Sequence, residues 1–230
     1  NKIKTDGLMP TIQTVNAKLS TPMPLGYSNS GTVLEIGKNV TTIKKGDTVI
    51  SNGNHASVVC VNQNLVANVP GDVASEQAVF TVIASIALQG IRICAPTLGE
   101  TVVVIGLGLL GQITLDLLKA NGCNAIGFDI DSSRVQLAQS RGFDAYNSRE
   151  TQGKNTVLAH TNQIGADAVI IAASTKGNKP TEQAVECCRK KGRIVAVGAF
   201  KMDIPRDYFY KKELSFHISM SYGPGRYDKA

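Results

Sequence analysis

Three glycines at a fixed spacing carry the most legible chemistry of this chain: Gly106, Gly108 and Gly111, in the run Gly106-Leu107-Gly108-Leu109-Leu110-Gly111. Lacking a Cβ, the first can turn the chain sharply, the second lets the backbone approach a diphosphate, and the third lets a following helix pack close to the preceding strand. The N–H groups at such a helix start, here those of Leu109 and Leu110, face an anion. An acid, Asp129, stands 18 residues beyond Gly111, near the separation of about 20 at which a carboxylate meets an adenosine ribose. That carboxylate accepts hydrogen bonds from a 2′-hydroxyl and repels a 2′-phosphate, so the spacing predicts NAD rather than NADP. Arg134 lies near enough in sequence to touch the ribose or a phosphate, or else to be solvated on the next helix.

Regular elements must hold these residues in place. The apolar run Thr101–Ile105 reads as a strand before the glycines, Gln112–Ala120 as the helix after them, and Ala125–Phe128 as a second strand running up to Asp129. Further strands read at Ala145–Tyr146, Ala168–Ala172, Arg193–Val197 and Leu214–Ser219. Alternation of strand and helix predicts an α/β fold, a Rossmann doubly wound parallel sheet. Its ligand belongs outside the carboxyl ends of the strands. That rule nominates Ala172-Ala173-Ser174 and Val197-Gly198 as neighbours of the nicotinamide half, or as small residues that merely end strands. Ahead of Ser75 the texture is β-rich, with strands expected at Gly31–Gly37, Asp47–Ile50 and Ser57–Val61. Ser75–Arg92 has helical spacing and leads into the nucleotide domain.

Composition narrows the class. With 230 residues, 43% of them hydrophobic and 18% charged, the chain fits neither a disordered nor a membrane protein. An uninterrupted apolar stretch of about 18 residues is not found, so no membrane span or membrane partner is expected. The polar start, Asn1 to Gly7, has no signal-peptide core. Five cysteines without a regular framework predict a reduced, cytoplasmic protein. Cys187-Cys188 is expected in a helix, with Arg189-Lys190-Lys191 at its end. The formal charge of +6 is scattered and no aromatic-plus-basic motif accompanies it, so no nucleic-acid partner is expected.

The order Pro24-Leu25-Gly26-Tyr27-Ser28-Asn29-Ser30-Gly31-Thr32-Val33, then Gly37, then Lys45-Gly46-Asp47-Thr48-Val49, then the glycine motif resembles the medium-chain dehydrogenase/reductase family over nearly the whole chain. The resemblance implies a partial GroES-like β domain over residues 1–85, a Rossmann domain over 86–222 and the start of a return segment at 223–230. A small-molecule substrate and the nicotinamide would meet between the two domains. The stretch Phe80 to Gly90 and the ending Ser219 to Asp228 more narrowly resemble the zinc-lacking dehydrogenase half of bidomain oxidoreductases. That branch implies fusion to a second oxidoreductase domain and a link to bacterial surface sugars. Relative to the family, the chain is expected to lack the first strands of the β domain and most of the return segment.

Zinc members of the family carry Gly-His-Glu where this chain has Gly26-Tyr27-Ser28. Their later ligand cysteine falls near Thr81, and their earlier one near the amino terminus, where no cysteine stands. A catalytic zinc needs three protein ligands and an open position, so the resemblance implies no zinc. The four-cysteine structural lobe is likewise missing, and His55 with Cys60 is at most a partial metal pair beside the plainer reading of a packed or exposed histidine. The resemblance instead implies that the hydroxyls of Tyr27, Ser28 and Tyr222 donate to an oxyanion or relay a proton, with Ser85 near the nicotinamide. The implied activity is zinc-independent, NAD-linked hydride transfer between nicotinamide and an alcohol or ketone, sugar derivatives included. Two alternatives stay open: a quinone- or enoyl-type NADPH reductase, and a non-catalytic NAD-binding or dimerising module of a larger fused protein. A homodimer through the last Rossmann strand is also implied, since an unpaired edge invites a partner.

Overall fold

A computed structural model describes residues 7–20 and 25–226. Pro24 of the Gly26 stretch, the first six residues and the Tyr227–Ala230 end of the expected return segment lie outside the described residues. The chain forms two compact units that part between Val79 and Phe80.

In the first unit a helix, α1 (Leu8–Ser20), precedes the strands β1 (Asn29–Thr32), β2 (Thr48–Ser51) and β3 (Val66–Asn68) and a short helix, α2 (Ser75–Ala78). The strands form an antiparallel sheet in that order, with Asn29 opposite Ser51 and Val49 opposite Asn68. Before β2, the Asp47 carboxylate accepts from the N–H of Lys44 at 2.9 Å. Three features depart from expectation. Helix α1 occupies a stretch read only as β-rich, although Leu8, Ile12 and Val15 follow helical spacing; all three are exposed. The strand expected at Gly31–Gly37 stops at Thr32. Val33 still donates to the Asp47 carbonyl at 3.0 Å, but Leu34 and Ile36 beyond it are exposed and have no ladder partner among the described residues. Ser57–Val61 is not a strand: Val59 turns in against Gly53, where a Cβ would meet its Cγ2 at 2.8 Å. The third strand is β3 instead.

The second unit opens with α3 (Thr81–Cys94) and then alternates: β4 (Thr101–Ile105), α4 (Leu109–Ala120), β5 (Asn124–Asp129), α5 (Ser132–Ser140), β6 (Asp144–Asn147), α6 (Gly153–His160), β7 (Ala166–Ile171), α7 (Lys179–Cys187), β8 (Cys188–Ala196), α8 (Arg206–Lys212) and β9 (Ser215–Ile218). Its six strands pair in parallel in the order β6-β5-β4-β7-β8-β9, which is the doubly wound sheet expected. Side chains alternate across a strand. Val102 and Val104 therefore join Ile91, Leu115 and Leu118 in one core, while Val103 and Ile105 join Val157, Ala184 and Val185 in the other. Cover on both faces explains why β4 is an unbroken apolar run. The chain steps from β4 out to β6 and then returns to β7 on the other side of β4, so the carboxyl ends of β4 and β7 flank the switch point.

Two local expectations need correction. Cys188 begins β8 rather than continuing a helix, and Arg189-Lys190-Lys191 lie on the irregular start of that strand, where Arg189 pairs with Asp167 at 2.6 Å. The cation that ends α7 comes from elsewhere in sequence. Lys212 Nζ donates to the carbonyls of Val185, Glu186 and Cys188 at 2.7, 3.1 and 2.7 Å, groups that a helix terminus leaves without intrahelical donors. Ser75–Cys94 is also long and apolar enough to cross a membrane, at 20 residues and mean hydropathy 1.5, where no such span was expected. The helical stretch breaks at Val79-Phe80, and Ile91 and Cys94 belong to the core of the second unit.

Candidate dinucleotide site

The turn between β4 and α4 has the form its glycines require. Gly106 takes φ +95°, and a Cβ there would fall 2.6 Å from the backbone nitrogen of Ala173. At Gly111 a Cβ would lie 1.9 Å from the carbonyl oxygen of Gly106, so only glycine lets α4 start this close to β4. Gly108 differs: the nearest atom to its missing Cβ is Arg134 Nη1 at 4.0 Å. That open backbone caps α4 without a side-chain hydrogen bond, and the N–H groups of Leu109, Leu110 and Gly111 have no carbonyl one turn back to accept them. The chemistry of this turn fits the diphosphate of a dinucleotide.

Asp129 ends β5 and is only 5% exposed. Its Oδ2 accepts from the N–H of Leu107 at 2.6 Å and its Oδ1 from the N–H of Asp131 at 2.9 Å. Both oxygens keep a further lone pair for a ligand hydroxyl. Arg134 forks between two acids, with Nη1 3.6 Å from Asp129 Oδ2 and Nε 3.7 Å from Asp131 Oδ2. Asp131 caps α5 by accepting from the N–H and hydroxyl of Ser133 at 2.9 and 2.7 Å, and these bonds hold its carboxyl below the usual range. Asn147, buried at the end of β6, donates to Ser132 Oγ at 2.7 Å. The loop beside Asp129 is thus fixed by its own hydrogen bonds.

Next to Gly106 lie the ends of β7 and β8. The N–H of Ala172 donates to Ile105 at 2.8 Å and that of Gly198 to Ile171 at 2.9 Å. A Cβ on Gly198 would fall 2.0 Å from the carbonyl oxygen of Ala173. Helix α3 borders this corner, because a Cβ on Gly90 would meet Val197 Cγ2 at 2.7 Å and one on Gly223 would meet Gln89 Oε1 at 2.2 Å. Ser85 stands one turn before Gln89 on that helix and donates its hydroxyl to Thr81 at 2.8 Å. Tyr222 immediately precedes Gly223, with the Arg226 guanidinium 5.5 Å from its ring centroid. The second unit therefore brings together Gly106, Gly108, Gly111, Asp129, Arg134, Ala172, Ala173, Val197 and Gly198, with Ser85 and Tyr222 on elements at their border.

Tyr27 and Ser28 belong to the first unit. Tyr27 is 46% exposed. Ser28 donates its hydroxyl to the carbonyl of Val79, a bond within the same unit. The ring of His55 lies over Gly26, where a Cβ would sit 2.4 Å from Cε1, and Cys60 is exposed. Among the described residues no three His, Cys, Asp or Glu side chains converge. A phenol, an alcohol hydroxyl and one imidazole do not fit a catalytic zinc, which takes three protein ligands.

Gln112 and Asn147 escaped the sequence reading although both are buried polar residues beside the site. The available signal was position: Gln112 follows the last glycine and precedes Leu115 by three, on the face of α4 that enters the core.

Residues 110–230 match the family model described as zinc-binding dehydrogenase, and residues 3–85 that of the alcohol dehydrogenase GroES-like domain. The chain is 26% identical to a sorbitol dehydrogenase of Halalkalibacterium halodurans over 92% of its own length and 72% of that protein. It is 32% identical to the D-guloside 3-dehydrogenase of Escherichia coli over 64% of its own length and 43% of that protein. Among solved structures, galactitol-1-phosphate dehydrogenase from Escherichia coli superposes with a TM-score of 0.78 at 20% identity, over 87% of this chain and 68% of that one. The aligned region thus spans between 43 and 72% of these two curated relatives.

Proposed function

Because the chain belongs to the medium-chain dehydrogenase/reductase family, we propose that it is a zinc-independent, NAD-linked oxidoreductase acting on an alcohol or ketone of the polyol or sugar class. The observation that carries the NAD reading is the buried Asp129 carboxylate, fixed by the N–H of Leu107 beside the open backbone of Gly108, where it favours a ribose hydroxyl over a phosphate. The substrate class is supported by the names of the two curated relatives.

When bound, NAD would supply the hydride acceptor. The glycine turn would bind its diphosphate, Asp129 and Arg134 its adenosine ribose, and Ala172, Ala173, Val197 and Gly198 would wall the nicotinamide, with Ser85 and Tyr222 at the rim. In place of a metal, the phenol of Tyr27 would hold the substrate oxygen by a hydrogen bond and pass its proton on, Ser28 serving as a lesser relay. The five reduced cysteines favour a cytoplasmic location. A homodimer through β9 is supported by exposed Ile218 and Met220 at that edge, and fusion to a second oxidoreductase domain remains part of the reading.

The test is NAD reduction by a panel of polyols and sugar derivatives, with and without a zinc chelator. Turnover with NAD that survives chelation is expected. Turnover with NADP alone, or activity lost to the chelator and restored by zinc, would overturn the reading. NAD binding with no turnover by the full natural protein would favour the non-catalytic module.

A further inference from the structure

Gln112 is only 5% exposed, and both ends of its carboxamide are hydrogen-bonded. Its Nε2 donates to the carbonyl of Leu107 at 3.2 Å and to that of Arg134 at 3.0 Å, while its Oε1 accepts from Arg141 Nη1 at 3.1 Å. Only one orientation of the amide satisfies this set, since the reverse would aim its oxygen at two carbonyls and its NH2 at a guanidinium. Arg141 is in turn anchored to Asp116 of α4. One side chain therefore ties the middle of the glycine turn to the first turn of α5, and these are the two segments that meet at Asp129.

We infer that Gln112 is a positioning residue for cofactor selectivity: through Leu107 and Arg134 it fixes the spacing between the diphosphate turn and the Asp129–Arg134 pair, so that the guanidinium stays against the acid instead of reaching outward to a 2′-phosphate. The inference rests on the NAD reading above. Leu107 is held twice, its N–H by Asp129 and its carbonyl by Gln112, so the acid and the amide clamp the same peptide region from two sides. Arg134 is also held twice, its guanidinium by Asp129 and Asp131 and its carbonyl by Gln112. The guanidinium of Arg134 is half-exposed and its contacts are long, 3.6 Å to buried Asp129 and 3.7 Å to exposed Asp131, and such loose pairs leave its position weakly fixed. The buried amide is what gives them a fixed geometry.

The test compares dissociation constants for NADH and NADPH in the wild type and in Gln112→Leu, whose side chain fills similar space without polar atoms. The ratio of the two constants is expected to move toward NADPH by roughly tenfold, one such step in affinity being about 1.4 kcal/mol. A variant serving only stability would weaken both ligands by the same factor, and an unchanged ratio in a folded Gln112→Leu protein would overturn the inference. Arg141→Met keeps both donor bonds of the amide while removing the group that orients it. It is expected to shift the ratio in the same direction by a smaller factor and serves if Gln112→Leu fails to fold; no shift in it then overturns the inference. Tighter NADPH binding by the wild type would overturn the NAD reading alone, because the change of ratio on substitution is still the test of Gln112.

Discussion

At Gly106 the missing Cβ serves two requirements at once. The turn needs φ +95°, and the end of β7 needs the space, since the nitrogen of Ala173 would lie 2.6 Å from a Cβ. Gly106→Ala is therefore expected to cost about 2–3 kcal/mol of stability and to weaken NADH binding at least tenfold, checked by urea denaturation and fluorescence titration. The glycine turn and the place of Asp129 at the end of β5 were legible in the sequence because they depend on backbone conformation and spacing. Gln112 and Asn147 were not, because their roles depend on carbonyls and hydroxyls contributed by distant segments: Gln112 meets Arg134 twenty-two residues on, and Asn147 meets Ser132 across the β6–α5 packing. Ser28 has a partner of the same distant kind, the carbonyl of Val79, which its sequence neighbours do not announce.

Among the elements, the central strands β4, β5 and β7 were legible because they are largely apolar runs buried on both faces, and the parallel order follows from alternation with helices. The first unit was read less well. Its strands are three or four residues long and half-exposed, so the valines of Ser57–Val61 gave the same pattern without a strand, and α1 escaped altogether. The end of α7 was misread for another reason: three cations adjacent in sequence suggested a helix terminus, whereas the ammonium that closes it arrives from α8. Lys212 makes three bonds to carbonyls there. Lys212→Met is expected to destabilise the protein by about 2 kcal/mol, seen as a lower urea midpoint with NADH affinity unchanged.

For the whole molecule, the cysteines set the response to alkali. Burial pushes the thiols of Cys94, Cys187 and Cys188 up to about 12 from an ordinary 9.0. Below pH 9 both folded and unfolded chains keep these protons, so the thiols add no pH dependence. Above it the unfolded chain loses them first, and stability falls as pH rises from 9 toward 12, by at most roughly 1.4 kcal/mol per thiol per pH unit. Urea midpoints at pH 8 and pH 10 should show this fall, while at pH 8 exposed Cys60 reacts rapidly with a thiol reagent. The central claim is that the second unit selects NAD through Asp129. Its most direct test is calorimetric titration of the wild type and Asp129→Ala with NADH and NADPH. The account predicts that the wild type binds NADH more tightly, and that Asp129→Ala weakens NADH about tenfold or more and narrows the gap to NADPH. Wild-type preference for NADPH, or an Asp129→Ala protein with unchanged affinities, would contradict it.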